Sequence, residues 1–172
     1  MINSINRFIA ASSSTKAKKE KRELTPDAIK KLRKFLEPVQ EEHPYLNRGG
    51  CGFFADALKT QLEKQGFKPS FYVISNMNVP KMVANRTDNS LQSIINAGAS
   101  LYHIMCKIGD YLVDSTGIYK RISDTGWGHG LGDVLEKDEV VKGWLKEKGV
   151  WNTSFNQDEL PRVFEKVKKI KL

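Results

Sequence analysis

Cysteine is scarce: 172 residues carry two, Cys51 and Cys106. Two cysteines imply no disulfide framework, and a reducing compartment suits them. Histidine is scarce too, with only His43, His103 and His129. No pair is spaced as Cys-x-x-Cys or His-x-x-x-His, so neither a metal site nor a cofactor is expected. No apolar run approaches the roughly 20 residues that cross a bilayer as a helix. The order of a secretory signal is missing, because Ile2, Ile5, Phe8 and Ile9 precede the lysines rather than follow them. A phosphate-cradling loop is missing as well. The densest glycine stretch, 125–132, has the wrong spacing and no strand–glycine–helix setting.

What is present fits one globular domain with a hydrophobic fraction of 40%. Residues 1–23 read as a basic arm, with Ser12 to Ser14 as a linker and Lys16, Lys18, Lys19, Lys21 and Arg22 after it. Residues 24–172 read as the folded domain. Net charge is +8, which favours acidic partners without naming one. The arm is either solvated or a docking element for an acidic protein or nucleic acid.

The most informative stretch is Asn47 to Leu58. Gly49, Gly50 and Gly52 crowd around Cys51, and a helical pattern starts at once. Phe54, Leu58 and Leu62 recur every four residues, and Gly66 reads as the C-terminal stop. Cys51 is thereby placed at a helix N-terminus, where free N–H groups and the dipole favour a thiolate. Asn47 is close enough in sequence to donate to an oxyanion, and is equally a plain turn former.

A nucleophilic cysteine needs a base, and the base an orienting group. Leu101 to Gly117 offers both. Two β-rich runs flank Gly109-Asp110, a two-residue hairpin turn. Pairing across it sets Ile108 against Tyr111, Lys107 against Leu112, Cys106 against Val113 and Met105 against Asp114. Alternation then gives His103 and Asp114 the same face as diagonal neighbours, with Cys106 on the other. His43 reads as a loop residue. His129 is a rival base with no acid beside it.

Cys51 followed by Phe54 and Ala55 on a helix resembles the nucleophile segment of papain-like thiol enzymes. The His103 strand and the strand ending in Asp114 resemble the rest of their triad. The order Cys, His, Asp resembles the transglutaminase-like, arylamine acetyltransferase and cell-wall cysteine peptidase branches. The resemblance covers about Tyr45 to Tyr119. It implies an α+β papain-like core, with the nucleophile helix on a small antiparallel sheet and helices at both ends. It also implies Cys51 as nucleophile, His103 as base and Asp114 as orienter. Gly52 stands where these families often place an aromatic residue, and a roomier site wall is expected there.

Along the rest of the chain, Thr25-Pro26-Asp27 starts a helix that Pro38 kinks or ends. Ser70 to Ile74 is a short strand. Residues 76–100 read as a long polar loop with one short helix near Leu91 to Ile95, a lid or binding loop. Ile118 to Ile122 is a third strand or its continuation. Trp127 and His129 sit on a glycine-rich loop, which either closes over substrate or packs Trp127 on the core. Asp133 to Lys148 and Glu159 to Ile170 read as helices.

Two functional readings follow. In the first, the chain is a cysteine-dependent hydrolase or acyl transferase (cysteine protease, amidase, deamidase or transglutaminase-like) acting on a peptide bond, a glutamine side chain or another amide. In the second, the same fold is a silent binding or assembly protein, viral in the fullest version. The first suits the cytoplasm or another reducing compartment, and the second suits a virion.

Overall fold

The computed structural model describes residues 22–147 and 155–172. The arm assigned to 1–23 therefore lies outside the described residues, save its last two positions. The described residues mix helices with a five-stranded antiparallel sheet.

Helix α1, Pro26–Glu42, begins where Thr25 Oγ1 accepts from the Ala28 N–H at 3.2 Å. Ala28, Leu32, Leu36 and Val39 form its buried stripe. Of the two outcomes expected at Pro38, a kink or an end, the end does not occur, and the helix runs on to Glu42. Proline deletes its own N–H bond, but Val39 is fully buried and its carbonyl accepts from His43 N at 2.9 Å. One more turn is thereby kept. Helix α2, Cys51–Lys64, closes at Gly66 with φ +87°. Phe67 N donates back to Leu62 O at 3.1 Å, a glycine-dependent closure.

Strands β1 (Ser70–Ser75), β2 (Leu101–Ile108), β3 (Tyr111–Asp114), β4 (Gly117–Tyr119) and β5 (Leu131–Leu135) lie in the order β4-β3-β2-β1-β5. The β2–β3 hairpin turns at Gly109, with φ +55°. It pairs Cys106 with Val113, Lys107 with Leu112 and Ile108 with Tyr111. One face of the sheet, including Phe71, Val73, Ile104, Cys106 and Val113, joins the main core with α2. The other carries Ile74, Met105 and Leu112, closed over by Tyr102, Tyr119, Ile122 and Trp127.

Three further expectations change. Residues 76–100 hold two helices, not one: α3 (Val79–Ala84) stands before the expected helix, α4 (Leu91–Asn96), with Val79, Val83, Leu91 and Ile94 buried. The asparagine and serine content is partly caps, with Asn78 accepting from Lys81 N and Ser90 from Ser93 N. The helix expected from Asp133 starts five residues later as α5, Asp138–Trp144, because Leu131 to Leu135 pairs with β1. A Cβ at Gly132 would sit 2.4 Å from Tyr72 Cε1, so the strands come together on a ring laid across a bare backbone. The last helix is shorter than expected: α6 spans Leu160–Val167 after a 3-10 turn, Gln157–Glu159. Among the described residues, no helix is long and apolar enough to cross a membrane.

Candidate functional site

Cys51 is the first residue of α2 and lies in the main core. As an N-terminal helical residue, its N–H has no acceptor within the helix. His103 sits on β2 and Asp114 at the end of β3. The two hydrogen-bond through Nε2 and Oδ2 at 2.8 Å. This is the diagonal contact that the hairpin register implies. The remaining ring nitrogen, Nδ1, is buried without a well-formed hydrogen bond and is the atom left to engage the Cys51 sulfur.

The electrostatics of the three groups are coupled. Burial opposes a thiolate at Cys51, but the charge and hydrogen bond of His103 outweigh it. Backbone N–H groups of Ile104 and Gly52 assist, and the thiol ends below its ordinary pKa. Burial likewise opposes a charged His103, yet the Cys51 thiolate and the Asp114 carboxylate hold it up to about 9. For Asp114, burial is overcome by His103 and then Thr116, and its carboxyl lies below the usual range. Cys106 makes the contrast. Burial pushes its thiol up to about 12, with Lys59 opposing too weakly to matter.

Asp114 is saturated with donors. Its Oδ1 accepts from Thr116 N at 2.8 Å, Thr116 Oγ1 at 2.6 Å and Gly117 N at 3.1 Å, leaving Oδ2 for His103. Ser115, Thr116 and Gly117 were not expected at the site. Asp-Ser-Thr-Gly after a strand is a side-chain-capped turn signature, and it was there to be seen. Asn47 is committed to the same turn. It accepts from Ser115 Oγ at 2.9 Å and its amide points to Thr116 Oγ1 at 3.4 Å. It therefore ties the cysteine loop to the acid's turn and is not free for an oxyanion.

Gly52 does not leave a roomy wall. A Cβ there would meet Leu145 Cδ2 at 2.8 Å and Ile104 Cδ1 at 3.3 Å, so Leu145 occupies the space. Trp127 is brought to the site. Its indole stacks on the His103 ring, centroids 4.8 Å apart and planes 16° apart. His129 is exposed and rests on Tyr102 and Trp127, one ring removed from His103. His43 is elsewhere, bound through Nδ1 to Glu159 at 2.6 Å.

No metal-holding group of three or more His, Cys, Asp or Glu side chains occurs among the described residues. No known protein family, curated protein or solved structure matches this chain.

Proposed function

We propose that this chain is a papain-like thiol hydrolase or acyl transferase working through Cys51, His103 and Asp114. One observation carries the reading: a histidine bonded on one side to a buried carboxylate faces, on the other, a helix-start cysteine whose thiol it acidifies. A purely structural cysteine behaves as Cys106 does.

Cys51 Sγ, as thiolate, attacks the amide carbonyl carbon. The oxyanion takes the backbone N–H of Cys51. The His103 imidazolium gives its Nδ1 proton to the leaving nitrogen, the C–N bond breaks and a thioester remains. Neutral His103 then takes a proton from water or an amine as that nucleophile attacks, and the thiolate leaves. Asp114 keeps Nε2 protonated, so that Nδ1 is the working nitrogen. The substrate is a peptide, a glutamine side chain or another amide, and the acceptor decides hydrolysis or transfer. Two reduced, buried thiols suit the cytoplasm or a virion interior.

The second reading, the same fold binding a partner without turnover, is favoured by closure of the site. Cys51, His103 and Asp114 are 5%, 1% and 2% exposed. The alkylation rate of Cys51 against pH, resolved by mass spectrometry with Cys106 as internal control, separates the two. Catalysis predicts reaction well below the ordinary thiol pKa of about 8.5, lost in His103→Ala. An ordinary thiol profile in both proteins sinks the enzyme reading, and an inert Cys51 favours the binding one.

A further inference from the structure

We propose that the apolar head of the N-terminal arm, Ile2, Ile5, Phe8 and Ile9, seats in the groove between α2 and α6. The groove measures about 240 Å³ and is lined by Phe53, Asp56, Ala57, Lys64, Phe164 and Val167, among others. Phe53, Ala57 and Phe164 pack on the core with one side and remain only partly buried. This is apolar surface in need of a cover.

The path of the chain selects the occupant. Arg22, the first described residue, donates to Gln65 O at 3.1 Å and Leu172 O at 2.6 Å, and lies over the Phe67 ring. Gln65 directly follows Lys64, the last α2 residue on the groove, and Gln61 of the groove donates to the α6 tail at Lys168 O and Ile170 O. The arm therefore leaves the described fold at one end of the groove. Along α2 the groove runs from Phe53 to Lys64, about 16 Å at 1.5 Å per residue. The twelve residues 10–21 reach about 40 Å when extended, more than enough to bring Ile2 to Ile9 over Phe53. A segment tethered this way acts at an effective concentration in the millimolar range, so modest intrinsic affinity suffices.

Charge does not choose the occupant. Residues 1–14 hold Arg7 and no acid, and the groove sets Asp56 against Lys64 and Lys168. The apolar residues and the path of the chain carry the fit.

The test keeps the full chain. Phe8 is replaced by the photoreactive benzoylphenylalanine, the protein is irradiated at low concentration, and cross-linked peptides are mapped. The expected product is a monomer bridged from position 8 to 53–64 or 164–168, greatly reduced by Ala57→Lys. Ile5→Asp, which lies outside the described fold and leaves its core intact, must reduce it as well. Bridges to other surfaces of the same chain overturn the proposal. So does a cross-linked dimer through the same groove, which would assign it to a second copy, and so does absence of any bridge.

Discussion

Asp114→Asn is the sharpest probe of the site, because it changes charge and almost nothing else. The amide keeps an oxygen for Thr116 N, Thr116 Oγ1 and Gly117 N. What it loses is the ion pair and the acceptor for His103 Nε2. In the folded protein the imidazole is held at about 9 instead of 6.5, by Cys51 first and Asp114 with it. That difference corresponds to roughly 3 kcal/mol at 1.36 kcal/mol per pKa unit. Asp114 supplies part of it, beside Cys51. Loss of a buried charge partner commonly costs about 3–5 kcal/mol, but here His103 can discharge and the loss is blunted. The expectation is about 2 kcal/mol at pH 7, a fall in Tm of about 4–8 °C. The pH dependence has a definite sign. A raised histidine stabilises fully below its unfolded pKa near 6.5 and loses that contribution as pH climbs through about 9. The lowered Asp114 carboxyl stabilises above the usual carboxylate pKa and is lost in acid. Urea unfolding of both proteins between pH 5 and 10, followed by tryptophan fluorescence, should show the gap widest near pH 6 and narrower near pH 10, where the carboxylate's own hydrogen bonds remain. A gap unchanged at pH 10 would mean that Asp114 acts through its turn alone and that no charged pair exists.

Three further tests bear on neighbouring residues. Cys106, with its thiol pushed up to about 12, should resist iodoacetamide in the native protein at pH 8 and react only on unfolding; native labelling would contradict its environment. Trp127→Ala removes the ring stacked on His103, with an expected loss of about 1 kcal/mol from the aromatic pair. The Nε2–H proton should then exchange faster with water in NMR spectra, and an unchanged exchange rate would show that the indole does not shield it. Gly132→Ala forces a methyl group onto the Tyr72 ring, at a cost of about 1–3 kcal/mol. Combining it with Tyr72→Ala should recover part of that loss, and strict additivity of the two changes would refute the contact.

Legibility followed the range of the interactions. Thr25, Pro26 and Gly66 act on neighbours a few residues away, so the start of α1 and the end of α2 could be read from the chain. The Gly109-Asp110 turn fixes a register, and the register fixes which side chains of β2 and β3 share a face. That was enough to bring His103 to Asp114. The pairing of Leu131–Leu135 with β1 was invisible, since it joins segments about sixty residues apart and the stretch is punctuated by glycine and aspartate. The helix near Leu91 could be read from the chain, but polar composition hid α3, whose cap Asn78 read as loop. Pro38 left a kink or an end open, and burial of Val39 carries the helix past it despite one missing hydrogen bond. The Trp127 stack depends on a loop crossing the far face of the sheet, for which the local sequence carries no signal.

The side chain missing at Gly52 is supplied by Leu145, just past the end of α5. The space beside Cys51 is thus furnished by a residue ninety-three places downstream of Gly52. Shape next to the thiol and identity of the thiol are written in separate parts of the chain. A change at 145, from leucine to alanine or to phenylalanine, would carve or fill the space beside Cys51 without touching the helix that presents it. The C-terminal part of the domain in this sense shapes the surroundings of Cys51 independently of the helix that carries it.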